Sequence, residues 1–237
     1  MKYLICNFKN KLNREDIIKY NNRISELVSK KVKLVIVPSL PFLCCFNNSN
    51  YSIGSQDISS FMDKTITGEV TGEQLKSVGV EYVIVGHSER RMYKQEINID
   101  FINKINNALE NDIKVIYCIG ETLKDKEEGN TYIVLEKQIS EVLNNVDLKN
   151  IMIAYEPVWA IGTGITPKTK DICETVEFIK DIIDEKYDIN IDVLYGGSVN
   201  PENIEELSSI KNVSGFLVGG SSLKVTNVID MLDILDK

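Results

Sequence analysis

The sequence predicts an α/β protein that folds as a single (β/α)8 barrel over residues 1–237, with a shortened second helix. Short apolar runs recur along the chain, and amphipathic stretches of helical period lie between them. The runs are continuous rather than alternating, which is typical of parallel strands buried on both faces. Divided among eight βα units, the 237 residues give about 30 per unit, as in barrels of roughly 250 residues.

The strands follow from these runs. Seven are rich in β-branched residues, at 3–6, 34–37, 82–85, 115–119, 151–155, 193–195 and 216–218. A weaker run at 51–55 is placed as the third strand by its spacing. Residues 38–51 are few for a crossover between two parallel strands, so the second helix is expected to have only a turn or two.

The helices follow from apolar stripes at helical spacing. The first stripe contains Ile17, Tyr20, Ile24, Leu27 and Val28. Three more are Phe101, Ile102, Ile105 and Leu109; Leu135, Ile139, Val142 and Leu143; and Ile172, Val176, Ile179 and Ile183. Asn13 with Asp16 predicts a capping box, and Asn200 before Pro201 predicts a helix with proline at its first position.

A doubly wound α/β sheet is the rival architecture. It is disfavoured because no Gly-x-Gly-x-x-Gly follows any strand, and Gly162-Thr163-Gly164 lacks the third glycine. The count of strands favours the barrel.

Composition excludes several classes of function. The 27 basic and 35 acidic residues give a net charge of −8, which offers no electrostatic footprint for nucleic acid or an anionic membrane. One histidine rules out a His-rich metal site, and five cysteines without Cys-x-x-Cys spacing indicate neither disulfides nor a zinc knuckle. With no apolar run long enough for a signal peptide or a membrane span, we expect a soluble cytoplasmic protein.

Unusual polar residues and glycines fall directly after predicted strands. They are Asn7 and Lys9, His87, Glu156, Gly196 to Ser198, and Gly219 with Gly220. Because active sites of (β/α)8 barrels lie at the carboxyl ends of the strands, these residues are expected on one rim.

Glu156 precedes Pro157-Val158-Trp159, and glycines follow at 162 and 164. This pattern indicates a carboxylate beneath a closable apolar flap, residues 157–165, where loss of water would make the carboxylate a stronger base. The alternative is a carboxylate that caps a surface loop.

His87 follows a buried strand and starts a predicted helix. Positive partial charge there disfavours an imidazolium, so a neutral imidazole could donate a hydrogen bond to a carbonyl oxygen. Lys9 could supply positive charge to an anionic substrate, with Asn7 as an amide donor and Glu89 as the partner that fixes Lys9. The alternatives are a structural histidine and a solvated lysine.

The glycine loops after strands seven and eight, with Ser198, Gly219 and Gly220, indicate backbone N–H groups that hold a phosphate. Gly162 of the flap would complete that cradle. Two tight βα turns are the alternative.

Seven motifs together resemble the triosephosphate isomerase family, in register from Cys6 to Leu223. They are Asn7-x-Lys9, Thr67-Gly68-Glu69, Gly86-His87-Ser88-Glu89-Arg90-Arg91, Cys118-Ile119-Gly120-Glu121, residues 155–164, Tyr195-Gly196-Gly197-Ser198-Val199 and Gly215-Phe216-Leu217-Val218-Gly219-Gly220.

The resemblance implies a TIM barrel that interconverts dihydroxyacetone phosphate and D-glyceraldehyde 3-phosphate in glycolysis and gluconeogenesis. It implies Glu156 as the base and neutral His87 as the electrophile, with Lys9 and Asn7 supporting the enediolate and Glu89 orienting Lys9. It also implies that Gly162, Ser198, Gly219 and Gly220 hold the phosphate, with no metal or organic cofactor.

The resemblance further implies a homodimer in which the loop around Thr67 enters the partner's site. The chain departs from the family there, since Lys64-Thr65-Ile66 stands where Gly-Ala-aromatic is common. Phe8 replaces a usual Trp, and Ile165 replaces a frequent Lys. A non-catalytic sugar-phosphate binder and an enzyme for a different phosphorylated sugar are the alternative functions on this fold.

Overall fold

The computed structural model describes residues 1–46, 49–62, 64–162 and 166–237. Eight parallel strands close into a barrel in chain order, with β1 pairing β8. The strands are β1 Lys2–Asn7, β2 Val32–Val37, β3 Ser52–Ser55, β4 Val80–Val85, β5 Lys114–Ile119, β6 Ile151–Tyr155, β7 Val193–Tyr195 and β8 Val213–Val218. The predicted barrel and all eight predicted strands are confirmed.

Helices lie outside the barrel. They are α1 Arg14–Ile24, α2 Gly72–Ser77, α3 Ser88–Lys94, α4 Asn98–Glu110, α5 Leu123–Glu127, α6 Thr131–Leu143, α7 Thr169–Tyr187, α8 Ile204–Ser208 and α9 Val225–Leu235. Short 3₁₀ segments occupy Leu40–Cys45, Val158–Ala160 and Gly220–Leu223. Among the described residues of the β2–β3 crossover the only helical segment is the first of these 3₁₀ turns, which confirms the shortened second helix.

The core has two layers, as strands buried on both faces require. Inside the barrel, residues from alternate positions pack together, among them Ile5, Val35, Ile84, Ile116 and Leu194. The opposite faces of the strands pack against the helices in a larger cluster. The stripes predicted for α4, α6 and α7 lie on this inward side, and their central residues are buried.

Two predicted helix boundaries are wrong. The first stripe includes Leu27 and Val28, but α1 ends at Ile24. Ser25 donates the last i→i−4 bond, to the Asn21 carbonyl, and the Leu27 N–H then bonds the Ile24 carbonyl in a tighter i→i−3 turn. Val28 is 69% exposed in the following loop.

The predicted start at Pro201 is also wrong. The Asn200 side chain accepts from the N–H groups of Glu202 and Asn203. It therefore caps a turn, and α8 begins only at Ile204. The capping box of Asn13 and Asp16 is confirmed.

Candidate functional site

The predicted site residues meet in one cavity of about 270 Å³ at the carboxyl ends of the strands. Its lining includes Asn7, Lys9, His87, Glu156, Gly162, Ser198, Gly219 and Gly220. Glu89 does not line this cavity but lies behind Lys9, in an adjoining cleft. Eight predicted residues, from six separate stretches of the chain, therefore share one rim.

Glu156 directly follows β6 and is 3% exposed. Its N–H donates to the Ile119 carbonyl at 2.8 Å, which continues the β5–β6 ladder. One carboxylate oxygen, Oε2, accepts from the Ser88 N–H at 3.2 Å, and Oε1 lies 3.3 Å from Nε2 of His87. The carboxylate is thus buried, oriented from α3, and directed at the imidazole.

Two glycines make room for Glu156. A Cβ on Gly120 would lie 1.7 Å from the Glu156 carbonyl oxygen, and a Cβ on Gly196 would lie 2.8 Å from its Cγ. Gly120 was not singled out from the sequence, and Gly196 was expected on the rim as part of a phosphate-binding loop rather than for its contact with Glu156. Both occur in the quoted motifs, but the contacts that require them come from neighbouring strands.

His87 is the N-cap of α3, and its Nδ1 accepts the Glu89 N–H at 3.2 Å. An imidazole nitrogen that accepts a hydrogen bond carries no proton, so in the neutral ring the proton is on Nε2. The backbone of α3 therefore selects the tautomer whose N–H faces Glu156 and the cavity.

Lys9 is held at three points. Its backbone has φ 50°, a conformation uncommon for residues other than glycine. Its N–H donates to Oδ1 of Asn7 at 3.0 Å, its carbonyl accepts from the Gln56 amide at 2.6 Å, and its ammonium pairs with Glu89 at 2.5 Å. Gln56 was missed by sequence reasoning because it lies on the loop after β3, far from Lys9 in the chain.

The Lys9 side chain also approaches the glycine loop after β8. A Cβ on Gly219 would lie 3.3 Å from Cε of Lys9. The ammonium and the backbone of this loop therefore line the same part of the cavity. Ser198 and Gly220 complete this wall from the loops after β7 and β8.

The first part of the predicted flap covers Glu121. The Trp159 indole N–H donates to Oε1 of Glu121 at 2.7 Å, and the Tyr155 hydroxyl donates to the same oxygen at 3.2 Å. Lys126 lies 3.4 Å from the centre of the Trp159 ring. Burial raises the pKa of the Glu121 carboxyl, and the bonds from Trp159 and Tyr155 oppose that shift.

The flap prediction reaches beyond what the structure describes. Gly162, at φ 67°, lines the cavity. Residues 163–165, which complete the predicted flap, lie outside the described residues.

The Thr67 loop carries exposed apolar side chains. Phe61, Met62 and Ile66 are 51%, 54% and 41% exposed, and Tyr93 on nearby α3 is 74% exposed. Lys64 pairs with Glu73 at the start of α2. The described part of this loop therefore exposes several large apolar side chains.

Two properties of the described part of the chain bear on other classes of site. Among the described residues, no set of three His, Cys, Asp or Glu side chains is grouped so that it could hold a metal ion. No described helix combines the length and the apolarity that crossing a bilayer requires.

The fold and the cavity define a class: a (β/α)8-barrel protein whose ionisable side chains gather at the end where enzymes of this fold carry their active sites. A sequence model of triosephosphate isomerases matches residues 2–235. The chain therefore belongs to the triosephosphate isomerase family, a family of isomerases, as its motifs predicted.

Individual relatives agree with that assignment. A triosephosphate isomerase of Vesicomyosocius okutanii is 39% identical over 219 residues, which is 88% of each chain. One from Alkaliphilus metalliredigens is 42% identical over 74% of each chain. One from Francisella tularensis subsp. mediasiatica is 34% identical over all of this chain and 98% of its own.

Proposed function

We propose that the chain interconverts dihydroxyacetone phosphate and D-glyceraldehyde 3-phosphate through an enediolate, with the whole of residues 1–237 acting as one domain. The observation that carries the proposal is the meeting of the Glu156 carboxylate, the His87 Nε2–H and the Lys9 ammonium in one cavity. A carboxylate base, a neutral hydrogen-bond donor and a fixed cation are the groups that an aldose–ketose isomerisation needs.

Glu156 takes a proton from the carbon next to the substrate carbonyl. At the same time the His87 Nε2–H donates to the carbonyl oxygen, so negative charge does not build up on an unsupported oxygen. Glu156 then returns the proton to the neighbouring carbon, and the proton at the oxygens moves from one to the other. The carbonyl and hydroxyl exchange places, and no electrons are gained or lost overall.

Lys9 and Asn7 stabilise the negative enediolate, and Glu89 holds Lys9 in place. The charge of Lys9 is needed locally because the protein as a whole carries a net charge of −8 and so repels an anionic substrate. The cation at 2.5 Å from Glu89 stays positioned while the substrate is absent, so little ordering remains when it binds.

The phosphate lies against Ser198, Gly219 and Gly220, and Gly162 reaches it from the flap. Residues 157–165 close over the bound substrate and exclude water, which would otherwise promote loss of phosphate from the enediolate. The contacts of Trp159 with Glu121 support this role, because they tie the first flap residues to a buried group.

A homodimer completes the site, with the Thr67 loop of one copy entering the cleft beside Lys9 in the other. The exposed Phe61, Met62 and Ile66 support this arrangement. The reaction uses no metal or organic cofactor, and the protein acts in the cytoplasm on the triose phosphates of glycolysis and gluconeogenesis.

A coupled assay of the purified protein tests the proposal, with each triose phosphate supplied in turn. We expect turnover in both directions, and a loss of about 10²- to 10⁴-fold in kcat for Glu156→Gln. Glu174→Gln, which removes an exposed carboxylate from α7, is the matched control and should keep full activity.

Two other outcomes would reject the proposal. Binding of triose phosphate without turnover would identify a sugar-phosphate binder. Turnover of five-carbon phosphates in place of triose phosphates would identify a different isomerase on the same barrel.

A further inference from the structure

Four charged side chains form a partly buried cluster behind the site, which we call the Arg90 cluster: Asp57, Arg90, Glu96 and Lys104. Arg90 pairs with Asp57 at 2.8 Å and with Glu96 at 2.6 Å. Lys104 pairs with Asp57 at 2.6 Å and with Glu96 at 2.5 Å. Each acid thus contacts both cations, and the charges of the cluster sum to zero.

Two members of the cluster are largely buried, which restricts how far the four side chains can move apart. The Lys104 side chain is only 4% exposed, and that of Glu96 10%. Burial raises the pKa of Asp57 despite the opposing effect of Lys104 and Arg90, whereas at Glu96 the hydrogen bonds from the same two cations outweigh burial and lower the pKa. If one charge left the cluster, its partner would remain unpaired in a site poor in water, which costs free energy. This cost keeps the four side chains in contact.

The cluster joins the two structures that hold Lys9. Asp57 directly follows Gln56, whose amide donates to the Lys9 carbonyl at 2.6 Å. Arg90 directly follows Glu89, whose carboxylate pairs with the Lys9 ammonium at 2.5 Å. The Arg90–Asp57 ion pair is therefore a bridge between the loop after β3 and the start of α3, next to both contacts.

Lys9 needs such support. Its φ of 50° is an uncommon conformation that persists only where surrounding contacts hold it. If the distance between Gln56 and Glu89 changed, the backbone and the ammonium of Lys9 could not keep both contacts. The position of the Lys9 ammonium in the cavity therefore depends on the distance between Gln56 and Glu89.

We propose that Arg90 is a positioning residue for Lys9, and that it acts by fixing the loop carrying Gln56 to the helix carrying Glu89 through its ion pair with Asp57. Where it concerns turnover, this inference rests on the proposed function. Arg90 does not line the substrate cavity, so its effect on the reaction passes through Lys9.

A double-mutant cycle tests the coupling. Arg90→Met should lower kcat/KM between about tenfold and a hundredfold, mainly by raising KM, because a displaced ammonium binds the anionic substrate less well. In a Lys9→Met background the same Arg90→Met change should cause no further loss. Losses that multiply in the double variant would overturn the proposal.

Control variants separate positioning from folding. Asp57→Asn keeps the shape of the side chain and should raise KM in the same direction by less. Arg23→Met, at an exposed position in the last turn of α1, should leave KM unchanged. All assays are run well below each variant's Tm and at concentrations where light scattering gives the wild-type mass. A lowered Tm with unchanged KM in both cluster variants would show a purely structural role and reject the proposal.

A second readout does not need catalysis. The Lys9 N–H, which donates to Asn7, should exchange with deuterium at least about tenfold faster in Arg90→Met than in Arg23→Met, because local opening becomes easier. This measurement decides the proposal even if the wild type fails to convert triose phosphates. Equal exchange rates would contradict it.

Discussion

Nε2 of His87 lies 3.3 Å from Oε1 of Glu156, so the end of β6 and the N-terminus of α3 present an acid–imidazole pair to one cavity. The first residue of α3 also orients the carboxylate, since the Ser88 N–H donates to the other oxygen of Glu156. Base and hydrogen-bond donor are therefore oriented by the same turn of backbone, and a shift of α3 would displace both.

The tautomer of His87 can be read directly, because the chain contains one histidine. We expect ¹⁵N NMR at neutral pH to show an unprotonated Nδ1 and a protonated Nε2, since the Glu89 N–H occupies Nδ1. His87→Gln should lower kcat by about 10²- to 10⁴-fold while the protein still folds. A proton found on Nδ1 would contradict the assignment.

Gly120 is predicted to tolerate no side chain. A Cβ there would lie 1.7 Å from the Glu156 carbonyl oxygen, and a backbone atom cannot move aside as a flexible side chain can. Gly120→Ala should therefore destabilise the protein by about 3 kcal/mol or more in urea unfolding. Gly220→Ala is the control for stability, because its Cβ would meet no atom within 4 Å. Equal unfolding midpoints for the two variants would refute the argument.

The barrel and the rim could be predicted because their signals are local in sequence. A continuous apolar run such as residues 115–119 shows a strand buried on both faces, and the residue after it then falls on the rim. Glu156, His87 and Lys9 were found in this way. The end of α1 and the start of α8 were misplaced because periodicity does not show the i→i−3 bond from Leu27 to Ile24 or the backbone bonds to the Asn200 side chain.

Apart from the Lys9–Glu89 ion pair, which was expected, the contacts that support the site residues could not be predicted in this way. The Gln56 amide bonds the Lys9 carbonyl although the two residues are 47 positions apart in the chain. Arg90 and Asp57, which form an ion pair, are also far apart in sequence. Glutamine and arginine in a loop or a short helix are ordinarily solvated, so nothing in their own surroundings indicates these contacts. Only closure of the barrel brings the end of β1, the loop after β3 and α3 together.

Association through the Thr67 loop should depend on its apolar side chains. Ile66→Asp places a charge on a surface that also exposes Phe61 and Met62, and an unpaired charge buried in an interface is costly. We expect light scattering to show a dimer for the wild type and a monomer for the variant, with specific activity falling on dilution. The control variant Val28→Asp, at an exposed position in the loop after α1, should remain a dimer. A wild-type protein that is monomeric at all concentrations would exclude the dimer.

Glu121 should make stability depend on pH. Its side chain is buried, and Oε2 has no hydrogen-bond partner among the described residues, although Oε1 accepts from Trp159. Burial penalises the charged form and raises the pKa of this carboxyl from its ordinary value of 4.5, an effect that the bonds from Trp159 and Tyr155 only partly offset. The folded protein thus binds this proton more tightly than the unfolded chain does.

The sign of the pH effect follows from that difference. The contribution of Glu121 to stability is fully present below the ordinary pKa of 4.5 that the unfolded chain has, and it is lost as pH rises through the higher folded-state pKa. Glu121→Gln keeps an acceptor for the Trp159 N–H but cannot titrate. The free energy of unfolding of the wild type, measured by circular dichroism in urea from pH 4 to 8, should therefore fall relative to that of Glu121→Gln as pH rises. The control Glu127→Gln, at an exposed position on α5, should show no such divergence from the wild type. Parallel plots of unfolding free energy against pH for the wild type and Glu121→Gln would mean that burial does not govern the ionisation of Glu121.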